Sequence, residues 1–141
     1  MKIATHIHIS AKPQEVWKVL MDTKQYPQWN PFVQSLSGEV AEGKRIKVKL
    51  PGMTFTPTVL ALKPNREFRW RGKLLIKGLF DGEHSFQLQA ADNDCTLFLH
   101  SETFSGLLVP LFKKKLLTTT NDGFEAMNRA LKNRVESKAA Q

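Results

Sequence analysis

Apolar and polar residues alternate along most of the chain, and the alternation is most regular between Phe80 and Phe104 (FDGEHSFQLQAADNDCTLFLHSETF). Two alternating runs flank the polar stretch Asp92-Asn93-Asp94, which predicts a β-hairpin. A turn centred on Asn93 sets Ala90 opposite Thr96, Leu88 opposite Phe98, Phe86 opposite His100 and His84 opposite Glu102. All of these share one face, because strand side chains alternate. A loop made of Asn93 and Asp94 alone would set Leu88 against Leu99 and turn Phe98, His100, Glu102 and Phe104 outward. The first register is preferred because it gathers Phe98 and Phe104 with Phe80, Phe86 and Leu88. That face still carries two histidines and a carboxylate. A buried carboxylate is costly unless paired, so the pattern points to a cavity with a polar spot.

The remaining pattern is read in chain order. Ile3, Thr5, Ile7 and Ile9 alternate with Ala4, His6 and His8 and predict a first strand with both histidines on its outer face. Ser10 is a cap candidate for a short helix that has Pro13 in its first turn and Val16, Trp17, Leu20 and Met21 on one side. Tyr26 to Phe32 (YPQWNPF) holds two prolines and predicts a short bend that packs its aromatic residues. Strands are expected at about 33–39, 44–50, 53–62, 66–73, 79–90 and 96–105, joined by Gly and Pro turns into an antiparallel meander. From Leu111 the period becomes helical. Leu117, Phe124, Met127, Leu131 and Val135 form one stripe, and Glu125 is spaced to pair with Arg129. Such a helix would reach about 40 Å at about 1.5 Å per residue. Gly123 interrupts it at a cost of about 1 kcal/mol relative to Ala, which close packing, room for a ligand or a kink would explain.

Length and charge change this picture little. The 141 residues suit one domain, residues 1–141, with no disulfide, since Cys95 is the single cysteine. Its hairpin position suggests an incidental thiol and a reducing compartment. The first ten residues alternate instead of forming an apolar leader, and no run approaches the roughly 18 apolar residues of a membrane span. A soluble, cytoplasmic protein is expected. The net charge of +8 invites a nucleic-acid partner. However, the cations of Arg45-Ile46-Lys47-Val48-Lys49 and Phe68-Arg69-Trp70-Arg71 alternate with apolar residues, which predicts solvated outer faces and makes nucleic acid unfavoured. Leu107 to Phe112 followed by Lys113-Lys114-Lys115 sets an apolar patch beside three cations. It fits peripheral contact with an anionic membrane or RNA, or, by preference, the start of a packed helix with its cations in water. No cofactor is expected, because no P-loop, dinucleotide fingerprint or nucleophile elbow is present.

Several segments carry a family likeness: Ser10 to Trp17, Tyr26 to Phe32, Phe68 to Gly72, His84 to Leu88, and Thr103 to Leu108 running on to Gly123-Phe-Glu-Ala-Met-Asn128. In their order along nearly the whole chain they resemble the helix-grip fold of the START-like (SRPBCC) superfamily, and within it the polyketide cyclase/dehydrase family. The resemblance implies an α+β fold in which a curved antiparallel sheet of about seven strands wraps a long C-terminal helix, with two short helices after the first strand. It also implies a cavity between sheet and helix. On the strand parities above, Trp70, Phe86, Phe98, Phe104, Phe124 and Met127 would line it, with Trp29 and Phe32 near one end.

Within that cavity His84 and Glu102 would stand about 5 Å apart at Cβ, with His100 on the same face. Three uses are open: a self-satisfied buried pair, an anchor that orients a ligand, or a general acid and base. A metal site made of His84, His100 and Glu102 is disfavoured, since neighbouring strand positions rarely give open facial geometry, and His6 with His8 lacks a third ligand nearby. The expected function is binding or transport of a small hydrophobic molecule. A cyclase, aromatase or dehydratase using the same cavity and docking on an anionic surface are the alternatives. On the binding reading, His84→Ala should weaken binding without unfolding the protein.

Overall fold

The computed structural model describes residues 1–73 and 81–139. Phe80 and the start of the strand expected at 79 lie outside the described residues.

The elements follow in the order β1 (Lys2–Ile9), α1 (Pro13–Met21), a 3₁₀ turn, α2 (Tyr26–Trp29), β2 (Ser35–Ser37), β3 (Lys47–Leu50), β4 (Met53–Phe55), β5 (Thr58–Lys63), β6 (Glu67–Lys73), β7 (Asp81–Ala91), β8 (Cys95–Ser105) and α3 (Val109–Ala139). A five-stranded antiparallel sheet has the order β1-β8-β7-β6-β5, and a second sheet has the order β2-β3-β4. The fold is α+β, with the long C-terminal helix packed on the antiparallel sheet.

The strand expected at 53–62 is divided. Pro57 cannot donate to a ladder, and the chain passes there from the small sheet into the large one. The segment expected as strand 44–50 is shared in the same way. Its second half, Lys47–Leu50, pairs within the small sheet. Its first half bridges to β5, where the Val59 N–H donates to the Lys44 carbonyl (2.9 Å) and the Ile46 N–H to the Pro57 carbonyl (3.0 Å). The cationic row of Lys47 and Lys49 therefore lies in a different sheet from Arg69 and Arg71.

The hairpin β7–β8 adopts the register centred on Asn93, with His84 opposite Glu102, Phe86 opposite His100 and Leu88 opposite Phe98. Asn93 and Asp94 take positive φ values of 62° and 57°, a region that short polar side chains tolerate better than most.

Two local expectations are corrected. The N-cap of α1 is Lys12, which makes no side-chain cap. The Ser10 backbone N–H instead donates to Glu136 Oε2 on α3 (2.9 Å). Glu136 also takes the Lys132 ammonium at 2.6 Å, so the i,i+4 ion pair found along α3 is Lys132–Glu136 and not Glu125–Arg129. Leu117 is 42% exposed. From Met127 the inward side of α3 runs back through half-buried Gly123, Thr120 and Leu116.

Candidate functional site

The interior of the hairpin face is a stack of rings. Trp70 lies on His84 (centroids 4.7 Å apart, planes at 17°), and His100 lies on Phe124 of α3 (3.9 Å, 16°). Phe86 contacts both imidazoles at 4.7 Å. Trp70, Phe86, Phe98, Phe104, Phe124 and Met127 are all buried. Of these only Phe104 also borders the cavity described below. Trp70, Phe86, Phe98 and Met127 belong to the main buried core, and Phe124 to a smaller cluster with Phe104. Trp29 packs edge-to-face on Tyr26, outside the cavity lining.

Through this stack runs a chain of polar contacts. Glu102 Oε1 meets His84 Nδ1 at 3.3 Å, and His84 Nε2 meets His100 Nε2 at 2.7 Å. His100 Nδ1 meets Asn128 Oδ1 at 2.9 Å, Asn128 Nδ2 donates to Thr5 Oγ1 at 2.8 Å, and the Thr5 hydroxyl donates to the His100 carbonyl at 3.0 Å. Every member is buried. The far end of the chain fixes its polarity. Because Thr5 donates to a carbonyl and accepts from the Asn128 amide, Asn128 presents its oxygen to His100, whose Nδ1 must carry a proton. Burial, then the neighbouring His84, hold His100 well below the usual histidine range, with the Asn128 bond opposing them. His100 is therefore neutral, its Nε2 is an acceptor, and His84 Nε2–H donates to it.

Thr5 and Asn128 were not singled out as site residues. The signal lay in the pattern: each is a polar residue at a position the apolar period assigns to the core, Thr5 between Ile3 and Ile7, and Asn128 between Phe124 and Leu131.

At the Glu102 end of this chain a cavity of about 240 Å³ opens between the small sheet and the first half of α3. Its walls are Phe32, Leu50, Met53, Phe55 and Phe104 on one side and Leu116, Thr120, Gly123 and Ala126 on the other, with Glu102 reaching in. Of the residues expected to line a cavity, Phe32, Phe104 and Glu102 do. His84 and His100 stand behind Glu102, out of the lining. The missed wall comes from the β3–β4 turn, which pattern alone gives no reason to place here.

Local chemistry builds each wall. The Asn30 side-chain oxygen accepts the backbone N–H groups of Phe32 (3.0 Å) and Val33 (2.9 Å), which fixes the turn through Pro31 and presents Phe32 to the cavity. Gly123 explains itself here: a Cβ at that position would lie 2.5 Å from Phe32 Cδ1, so the interruption of α3 serves close packing. Gly72 does the same for Phe55, whose ring would be 2.9 Å from an added Cβ. Among the described residues no group of three or more His, Cys, Asp or Glu is arranged to hold a metal ion. The facing nitrogens of His84 and His100 are bonded to each other and do not converge on a common point.

A long C-terminal helix laid on an antiparallel sheet is the helix-grip arrangement, and solved structures share it. A START superfamily protein from Mycobacterium smegmatis superposes with a TM-score of 0.72 at 20% identity, covering 96% of this chain and 97% of that one. The Zhui aromatase/cyclase from Streptomyces sp. R1128 gives 0.77 at 18% identity, covering 99% and 95%. A protein from Mesorhizobium loti gives 0.78 at 16% identity, covering 98% of each chain. The sequence is more specific: the model of the family described as polyketide cyclase / dehydrase and lipid transport matches residues 1–136, and the chain belongs to that family. No curated protein sequence matches it.

Proposed function

We propose that the protein binds and carries a small hydrophobic molecule, held in the cavity between the small sheet and α3 with Glu102 as its polar anchor. The observation that carries this reading is the pairing of a mainly apolar, partly open space with one carboxylate that is itself held by a buried histidine. A volume of about 240 Å³ exceeds the roughly 150 Å³ of an engineered apolar cavity that admits benzene. One or two fused rings, or a short acyl segment, match it in size and polarity.

Mass spectrometry of compounds released from the protein purified in its native state should show an apolar molecule of this size. Thr120→Trp, which fills the space from α3 without touching the polar chain, should abolish binding of the same compound while leaving the thermal midpoint within a few degrees. Uptake of the compound by Thr120→Trp with unchanged affinity would place the site elsewhere.

One surface feature favours delivery at a membrane. Leu107 and Leu111 are 80% and 75% exposed, and Lys113, Lys114 and Lys115 are exposed on the same first turns of α3 that lead to the cavity wall at Leu116. Among the described residues no helix is long and apolar enough to cross a membrane, so the contact would be peripheral. Sedimentation with vesicles containing phosphatidylserine should show binding that weakens with salt and falls when the three lysines are replaced by Gln. Equal binding to neutral vesicles would count against it.

A further inference from the structure

The polar chain behind the cavity decides which group a ligand must bring to Glu102. Glu102 Oε1 is taken by His84 Nδ1, and among the described residues Oε2 has no hydrogen-bond partner. His84 already donates its Nε2 proton to neutral His100. For His84 Nδ1 and Glu102 Oε1 to hydrogen-bond at 3.3 Å, one proton must lie on the line between them. If it sits on the imidazole, Glu102 is a carboxylate and Oε2 offers lone pairs. If it sits on Oε1, Glu102 is a neutral acid, and Oε2 is its carbonyl oxygen, which again offers lone pairs. Both arrangements make Glu102 an acceptor and not a donor toward the cavity, whose other polar side chains are the hydroxyls of Thr119 and Thr120 on the α3 wall. Gly82, directly across from Phe104 on the paired strand, leaves the carboxyl in place, since an added Cβ would come within 3.2 Å of Oε1.

From this we infer that the Glu102 end of the site selects apolar molecules that bring a hydrogen-bond donor to it, an alcohol or a phenol, over ketones, ethers and carboxylates of the same size placed there. The selection is set from a distance. Thr5 and Asn128 on the far side of the core fix the direction of every bond, and His100 and His84 transmit it to Glu102. Glu102 contacts the ligand; the others are positioning residues. A carboxylate ligand would meet either an anion or a bare carbonyl oxygen, and an ether or ketone would set lone pairs against lone pairs, leaving the buried acceptor unpaired.

The inference rests on the proposed cavity, and the experiment separates the two. Affinities for naphthalene, 2-naphthol and 2-methoxynaphthalene are measured by NMR titration of the wild type, Glu102→Met and Glu102→Gln. In the wild type 2-naphthol should bind about tenfold or more tighter than the other two, the effect of one hydrogen bond to a buried, partly charged acceptor. Glu102→Met should still bind naphthalene, which shows that it is folded with its cavity intact, and should lose the preference. Glu102→Gln should keep the order of affinities, because its amide N–H can serve His84 Nδ1 while its oxygen faces the cavity. Equal affinities in the wild type, or a 2-naphthol preference that survives in Glu102→Met, would overturn the inference while leaving the cavity reading in place. If no probe binds the wild type, both fail.

Discussion

His84→Ala is expected to lower the free energy of unfolding by about 3–5 kcal/mol, the usual cost of removing one partner from a buried charged or hydrogen-bonded pair. The imidazole is 2% exposed, lies flat on Trp70, and bonds at both nitrogens. Its loss strands Glu102 Oε1 and His100 Nε2 and leaves a hole beneath a tryptophan. The sequence alone suggested that this substitution would weaken binding without unfolding the protein. Full burial within the ring stack adds a large stability cost to that expectation. A domain of this size has about 5–15 kcal/mol in all, so the variant should remain folded at 25 °C, with a urea midpoint shifted far down and an unchanged slope. A midpoint within error of the wild type would mean that the polar chain contributes nothing to the fold.

The second large effect is on the acid side. His100 is held well below the usual histidine range, by burial first and by His84 next. Folding therefore removes a proton site that the unfolded chain fills below about pH 6.5. In that window the unfolded state binds more protons, so stability rises with pH and is lost as pH falls, by up to about 1.4 kcal/mol per unit. Above about pH 6.5 the group contributes no pH dependence. Between pH 7 and pH 5 the loss from this one site should be about 2 kcal/mol. Among the described residues the groups facing His100 are His84 on β7, Asn128 on α3 and the aromatic rings of Phe32, Phe86, Phe98 and Phe124; Glu102 bonds to His84 and not to it. His100→Gln, which keeps an acceptor for His84 and a donor for Asn128, should flatten the profile over this range by one proton. Urea unfolding at a series of pH values measures it. Parallel profiles for wild type and variant would show that His100 takes up its proton as readily in the folded state as in the unfolded one, which would contradict its burial as a neutral acceptor for His84.

Much of the architecture was legible because period-two alternation is a strong signal over long strands. Eleven-residue β7 and β8 have a single register that puts their aromatics inside, and it brought His84, His100 and Glu102 together correctly. The short strands were harder. β2 and β4 have three residues each, too few for a period to declare itself, and the division of the segment 53–62 at Pro57 depends on which sheet each half joins. The cavity inherits that difficulty. One wall is the turn from Leu50 to Met53, whose position is set by tertiary packing of Phe55 over Gly72, and no local pattern reports it. The residues that look most like a pocket in sequence, large aromatics sharing a strand face, are the ones that fill the core. The residues that border the space are partly small: Gly123, Ala126 and Thr120. The buried polar pair was visible as an anomaly on an apolar face, but its completion by Thr5 and Asn128 required the packing of α3 against β1 and β8.

The central claim is that a small apolar molecule occupies the space at the Glu102 end of the hairpin. Amide and methyl chemical-shift changes on adding 2-naphthol to the labelled protein test it most directly. Saturable shifts are expected around Phe32, Met53, Phe104, Gly123 and Ala126, and they should be absent in Thr120→Trp. Saturable shifts centred instead on the outer sheet face around Arg66 and Gln87, or none at concentrations that saturate an apolar site, would contradict it.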